Sequence, residues 1–538
     1  MSLARDITTV GGGTLMSRLL AYVRDAWIAA LLGAGPYSET LFAVLQVVNF
    51  FRRLLSEGAL NSAFVPIWTK LHGSTDGAAN ANRFTWRVLL MMFCVAGSIA
   101  LFGVFFGHYV IAGVAPGFDD SLRSFSAFLL FMVAPYILLA GLVAVIAAAL
   151  SAEGRVGAVA ITTVLFNLTM LLALLLLPDE PIERYQVTFW VALAITVAGI
   201  VQLLAAAMVW LMTGRRWQRA RSPARDQTGA FFGRALPGLI ATSIPQLKLI
   251  AATAIVSASP AAVSWFYYAN RLYELPLGVA SIAVAAVIVP RIAGSVHARN
   301  ESRFASAQSR AYEIAIGLAL PAATGFALLA EPIARGLFER GAFGAQDTAA
   351  VAAALVAICA GLPGHVLEKV FGAVSFAHED THTPMLAALG GLAAAIIGGA
   401  LLFPRFGYVG VAAAIAVSGW VGAGLLGTLL FRRRWLRIDA AAWRRLPRIC
   451  LATIAMAAAV GSANHLIGAG GASSAARLAI LAALVTLGLA VYFAALRLLG
   501  VVTLKELARG NENRKGLARR ASRVAWLPRK AMRTGNGV

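Results

Sequence analysis

Apolar windows of about 20 residues, the length at which a helix crosses a bilayer core, recur along this chain. They lie near 8–34, 39–68, 87–115, 124–151, 157–178, 187–213, 229–257, 261–290, 311–334, 348–376, 383–403, 406–431, 447–468 and 476–500. Backbone groups in hydrocarbon must be hydrogen-bonded within their own segment, so each window is expected to be a helix. The fold class expected is therefore an all-α polytopic membrane protein of about 14 transmembrane helices. With 59% of its residues hydrophobic, 13% charged and a mean hydropathy of +0.77, the chain is more apolar than a soluble fold of its 538 residues needs.

The net charge of +22 would suit a nucleic-acid partner only if it formed a continuous surface, and here it falls in short blocks between apolar windows. The even-numbered connections hold Arg215, Arg216, Arg219, Arg221 and Arg225, then Arg291, Arg299, Arg303 and Arg310, then Arg432, Arg433, Arg434, Arg437, Arg444, Arg445 and Arg448. The odd connections hold little beyond Arg123, Arg184, Arg340, Arg405 and Arg477. By the positive-inside rule both termini are cytoplasmic, and no nucleic-acid partner is expected. Cys94, Cys359 and Cys450 lie far apart inside apolar windows, which implies neither disulfides nor a metal site. "MSLARDITTVGGG" has none of the three regions of a signal peptide, so the first helix is expected to be retained.

A faint repeat links "RLLSEGALNSAFVPI" (53–67) with "RLYELPLGVASIAVAAVIVPRI" (271–292), six windows apart. It supports two lobes of six helices, 1–226 and 227–435, followed by a pair of helices in 436–502. The tail, 503–538, carries ten basic residues, Lys505, Arg509, Arg514, Lys515, Arg519, Arg520, Arg523, Arg529, Lys530 and Arg533. It is too polar to form a core and is expected to be disordered against anionic membrane lipids.

The intramembrane charges concentrate in three windows. Arg18, Arg24 and Asp25 lie in the first, Glu39, Arg52, Arg53 and Glu57 in the second, and Arg271 and Glu274 in the eighth. At 100° per residue Ser17 and Arg24 share one face, Arg18 and Asp25 the adjacent one, and Arg53 and Glu57 form an i,i+4 pair. Arg18, Arg24, Arg52, Arg53 and Arg271 outnumber the acids placed to pair with them at depth, Arg24 and Arg271 having mostly apolar neighbours. Five arginines in lipid would cost roughly 12–17 kcal/mol on the insertion scale, so they are expected to line a hydrated cavity. A guanidinium presents a planar fork that grips phosphate or carboxylate through two bonds, and several together suit a phosphate or diphosphate ligand. The competing view is helix–helix glue, each arginine held by a carboxylate or carbonyl.

Elsewhere Lys248 in the seventh window has three readings: a snorkelling side chain, a stand-in for a bound cation, or a partner of Glu368. Lys369 beside Glu368 reads as local neutralisation. "HEDTH" (378–382) matches the zinc-protease pattern H-E-x-x-H, which needs both histidines on one helical face and a third ligand elsewhere. Pro384 disfavours helix at Thr383, the stretch falls in a short connection, and no third ligand is in view, so His378 and His382 are read as solvated loop residues. No phosphate-binding loop of the ATPase kind occurs. Neither an enzyme, a cofactor nor a metal is expected.

"MSRLLAYVRDAWIAALLGAG", "NFFRRLLSEGALNSAFVPIW", "APYILLAGLVAVIAAALSAEGR", "SWFYYANRLYELPLGVA", "RGAFGAQDT" and "EDTHTP" resemble, in order, the bacterial MurJ (MviN) lipid II flippases over nearly the whole chain. The resemblance implies the two-lobed fold of the multidrug/oligosaccharidyl-lipid/polysaccharide exporter superfamily with two C-terminal helices that form a lipid-facing groove. It implies multi-pass residence in the bacterial inner membrane and export of lipid II, the undecaprenyl-diphosphate-linked disaccharide-pentapeptide, with cell-wall synthesis proteins as partners. By position, Ser17, Arg18, Arg24, Asp25, Arg52, Glu57, Ser264, Arg271 and Glu274 would fall on the family's central cavity. Glu39 stands where relatives commonly have Asp, and Gln46 where some have Lys. Ser17, Arg18, Arg24, Arg52, Ser264 and Arg271 are the substrate-binding candidates; Asp25, Glu39, Arg53, Glu57 and Glu274 are candidates for gating or charge pairing, and Lys248, Glu368 and Lys369 for coupling. The function expected is ATP-independent flipping of lipid II. Another lipid-linked oligosaccharide, such as an O-antigen or teichoic-acid precursor, is the nearest alternative.

Overall fold

The computed structural model describes residues 3–56, 59–73, 76–177, 183–212, 228–297, 301–467 and 474–501, and among them every regular element is a helix. Glu57 and the tail 503–538 lie outside the described residues.

The chain runs α1 (Leu3–Leu32), α2 (Pro36–Ser56), α3 (Ala59–His72), α4 (Gly77–Phe105), α5 (Gly107–Val114), α6 (Asp120–Val133), α7 (Pro135–Ala152), α8 (Val156–Leu175) and α9 (Arg184–Leu211). It continues with α10 (Thr228–Val256), α11 (Ala262–Ala283), α12 (Val289–His297), α13 (Glu301–Leu328), α14 (Ala330–Phe338), α15 (Ala345–Cys359), α16 (Leu362–Ala377), α17 (His382–Arg432), α18 (Ala440–Ile467) and α19 (Ser474–Leu498). Each apolar window falls on one of these helices or on a consecutive pair. Among the described residues seven helical stretches, α6 with α7 counted as one, are long and apolar enough to cross a membrane, or eight if α15 and α16, bent by 40°, count as one. The helices outside that group include α1, α2 and α11, which carry the intramembrane charges.

Most breaks have a local cause. Helix α1 stops at Gly33, whose φ of +66° is a left-handed cap open to a residue without Cβ. Helix α7 begins on Pro135, whose missing N–H is one a first turn does not need. Between α11 and α12 the backbone makes a π-turn at Val284–Ile288, directly ahead of Pro290, which withholds the donor an α-helical ladder would use. The two windows at 383–403 and 406–431 fall on two helical segments of α17, which part just after Pro404, where Gly407 takes the non-helical φ 55°, ψ −143°.

Small residues set the close packing. Gly361 and Gly364 near the start of α16 lie against the backbone of Ala416, Gly419 and Trp420 in α17. Helix α1 packs on α8, α8 on α9 and α4 on α7, while α16 packs on α17 and α13 on α18. Helix α10 bridges the halves, touching α2 and α3 on one side and α17 on the other. Large apolar side chains such as Leu204, Met208, Leu401 and Phe493 are turned outward, as on a surface solvated by lipid.

Candidate ligand cavity

Helices α1, α2, α7, α8, α9, α10 and α11 enclose a cavity of about 520 Å³. Its wall carries Arg18, Arg24, Arg52, Arg53 and Arg271 against two carboxylates, Asp25 and Glu274. All five arginines thus share one space, as their cost in lipid required.

The pairing differs from the sequence expectation. Arg24 and Arg271 are not isolated from acids: both bind Asp25, which is 2% exposed. Asp25 Oδ1 accepts from Arg24 Nη2 at 2.7 Å and Nε at 3.0 Å, and Oδ2 accepts from Arg271 Nε at 2.6 Å. One carboxylate holds two guanidinium groups, and Arg271 comes from a helix 246 residues away in sequence. Arg271 Nη1 also donates to Glu274 Oε2 at 3.4 Å, and its guanidinium lies 5.2 Å from the ring centre of Tyr22, whose hydroxyl donates to the Arg271 carbonyl. Arg53 Nη2 donates to Glu274 Oε1 at 3.0 Å across 221 residues, while its expected i,i+4 partner Glu57 lies outside the described residues. Periodicity finds partners on one helix only, and in lipid the stronger demand is to neutralise charge between helices.

Ser17 and Arg24 do share a face, and both reach Asn167 of α8. Arg24 Nη1 donates to Asn167 Oδ1 at 3.1 Å, while Asn167 Nδ2 donates to Ser17 Oγ at 3.1 Å. Arg52 Nε donates to Asn49 Oδ1 at 3.3 Å. Arg18 makes no hydrogen bond or ion pair among the described residues, and its guanidinium rests over Gly278 of α11, where a Cβ would lie 2.7 Å from Nη1. Asn167 and Tyr22 were missed in the sequence; a scan for uncharged polar residues in apolar windows would have found Asn167.

Ser264 and Glu39 are not on the cavity wall. Ser264 is fully buried, its Oγ 2.9 Å from Ser38 Oγ, and Glu39 Oε1 accepts from the Val263 backbone N–H at 3.1 Å in the first turn of α11. Phe42 stacks on Tyr267 one turn further in, at 3.9 Å. At the same end Ala342 N donates to Ala30 O at 2.7 Å, with Gly33 and Gly341 at left-handed φ on either side of the contact. These contacts make a seam that joins α1 and α2 to the second half of the chain beyond the cavity.

Lys248 lies outside the cavity and is 7% exposed; Glu368 is half-buried and Lys369 exposed on α16. The H-E-x-x-H stretch is corrected in two respects. Thr383 is helical, since α17 begins at His382 and Pro384 sits in its first turn, where a proline is tolerated. His378 is half-buried, stacked 4.2 Å from Trp435 with Nδ1 2.9 Å from the Val374 carbonyl. Asp380 accepts from the His382 and Thr383 backbone N–H groups and pairs with Arg433. No cluster of three metal-ligating side chains occurs among the described residues.

The family model "Lipid II flippase MurJ" matches residues 28–479. The "Probable lipid II flippase MurJ" of Rhizobium meliloti (strain 1021) is 36% identical over 92% of this chain and 93% of its own. Among solved structures, "Lipid II flippase MurJ, inward closed conformation" superposes with a TM-score of 0.74 at 20% identity, covering 90% of this chain and 97% of that one. An "Inward-facing conformation of a multidrug resistance MATE family transporter of the MOP superfamily" superposes with a TM-score of 0.64 at 16% identity, covering 80% and 98%.

Proposed function

The chain belongs to the lipid II flippase MurJ family, and we propose that it moves lipid II from the cytoplasmic to the outer leaflet of the inner membrane by ATP-independent alternating access. The observation that carries this reading is the cavity wall of five arginines and two carboxylates. A diphosphate brings two adjacent anionic groups, and guanidinium forks match them bidentately. Arg18, unpaired among the described residues, is the first contact. Arg24 and Arg271 then exchange Asp25 for phosphate oxygens, while Arg52 and Ser17 complete the grip. Asp25 keeps the empty cavity from holding bare cations. Glu274 holds Arg53 and Arg271 until the ligand competes for them.

The seam of Ser38, Ser264, Glu39 and the Ala30–Ala342 contact belongs to the outer face, and the cavity takes its ligand from the cytoplasm. Fourteen spans, both termini inside, a first lobe in 1–226, a second in 227–435 and a lipid-facing pair in 436–502 complete the topology. The tail 503–538 rests on anionic headgroups, and cell-wall synthesis proteins collect the product. A membrane potential is a sufficient drive, because one charge crossing 100 mV gains about 2.3 kcal/mol and a diphosphate leaves a negative interior.

The test is depletion in cells followed by leaflet-resolved assay of the precursor. Accumulation of lipid II on the cytoplasmic side, relieved by this chain, is expected. Relief confined to a different lipid-linked glycan would overturn the substrate.

A further inference from the structure

A second set of ionisable groups lies in the other half of the molecule, unused by the cavity. Lys248 of α10 is 7% exposed and makes no hydrogen bond or ion pair among the described residues. Its ammonium is pressed against α17, where a Cβ at Gly391 would come within 2.8 Å of Nζ. The carboxylate of Glu368 on α16 is set against Gly422 of the same α17, one turn along from Ser418. One turn earlier on α16, the His365 ring lies against Gly419, with Nδ1 2.8 Å from the Tyr273 hydroxyl and 3.1 Å from the Gly361 carbonyl. Tyr273 is buried on α11 between Arg271 and Glu274 in sequence, so its bond to His365 ties α16 to the helix that bears two of the cavity charges.

The other ionisable groups on the surrounding helices are few. Lys369 of α16 and Arg291 of α12 are exposed, Cys359 ends α15, and Tyr312 of α13 meets Phe371 edge-on. Glu313 of α13 is taken by Arg310 and Arg445, and Asp347 of α15 by Trp265 and the Gly344 N–H. At the contact itself α17 offers Gly391, Ser418, Gly419 and Gly422. Lys248 and Glu368 are therefore set against neighbouring turns of α17, at Gly391 with Ser418 and at Gly422, and they do not touch. Separated opposite charges in a low-dielectric site are held at a cost, and a single proton moved onto or off the pair changes its net charge by one. Helix α10 also packs on α2 and α3, so a rearrangement of the halves acts on the spacing of this pair.

We propose that Lys248 and Glu368 form a proton-binding site that loads and unloads once per transport cycle, next to the His365–Tyr273 hydrogen bond that ties α16 to the cavity helix α11. Loading adds one proton from water to the Glu368 carboxylate, giving a carboxylic acid beside the ammonium. Unloading returns that proton to water on the opposite side, and no other bond is made or broken. The proposal rests on the flippase reading, and the test separates the two.

The full chain is reconstituted into vesicles with labelled lipid II, and potassium with valinomycin clamps the potential at zero. A one-unit pH gradient changes proton occupancy by a factor of up to about ten, and it is expected to change the wild-type flipping rate several-fold. Glu368→Gln and Lys248→Met are expected to flip at one rate with or without the gradient. Tyr273→Phe, which cuts the bond to His365, should flip with a weakened response. A wild-type rate indifferent to the gradient overturns the proton site and leaves the flippase standing, as does a full response in Glu368→Gln. Absence of flipping under every gradient and potential overturns the flippase reading and the site with it.

Discussion

Arg53 of α2 and Glu274 of α11 meet at 3.0 Å, so the two members of the faint sequence repeat face each other, the arginine of one bonded to the carboxylate of the other. Glu274 also accepts from Arg271 of its own copy of the motif, at 3.4 Å. The contact joins the two halves at the cavity wall.

Charge reversal at this contact is expected to be complementary. Arg53→Glu and Glu274→Arg should each lower complementation of a depleted strain by at least an order of magnitude, and the double variant should recover a substantial part. A double variant no better than the worse single would show that the two residues act separately.

Asp25→Asn is expected to lower thermal stability as well as transport. It leaves Arg24 and Arg271 without their common carboxylate, and breaking a buried pair costs about 3–5 kcal/mol. Arg24→Ala should be milder for folding, because Arg271 still holds Asp25, yet it should abolish transport, with Arg24→Lys partly active. Melting curves of purified protein beside a flipping assay check both, and an Asp25→Asn protein with unchanged melting would refute the account.

Arg18→Ala is expected to weaken lipid II binding without moving the melting point, since Arg18 has no hydrogen-bonded partner to orphan among the described residues. A stability loss equal to that of Asp25→Asn would place Arg18 in the scaffold.

His378→Ala combined with His382→Ala should leave transport intact and zinc without effect. Loss of the stack on Trp435 should cost about 1 kcal/mol of stability. Zinc-dependent recovery of activity would reopen the metalloprotease reading.

Much of this was legible in the sequence for one physical reason. Charges such as Arg24, Asp25 and Arg271 stand out against apolar windows because the bilayer penalises them, so their presence alone indicates a hydrated site. Their pairing was not legible. A helical period gives the face a residue occupies but not the azimuth of the neighbouring helix, so Asp25 could not be assigned to Arg271, nor Arg53 to Glu274. Asn167 escaped notice because an uncharged amide costs too little in lipid to mark itself. Ser264 was placed by its motif, and the fold turns it to Ser38 instead of the cavity.

The contact between Ala30 and Ala342 is made by main chain on both sides, beside two left-handed glycines. A compound wedged at that one contact would meet peptide groups, which every codon encodes alike, whereas the Ser38–Ser264 and Glu39–Val263 contacts of the same seam use side chains. Point mutation at the main-chain contact would act through its flanking Gly33 and Gly341, where any side chain strains the backbone. Target-site resistance there would carry its own fitness penalty, unlike at the arginines, where one altered codon changes the chemistry outright.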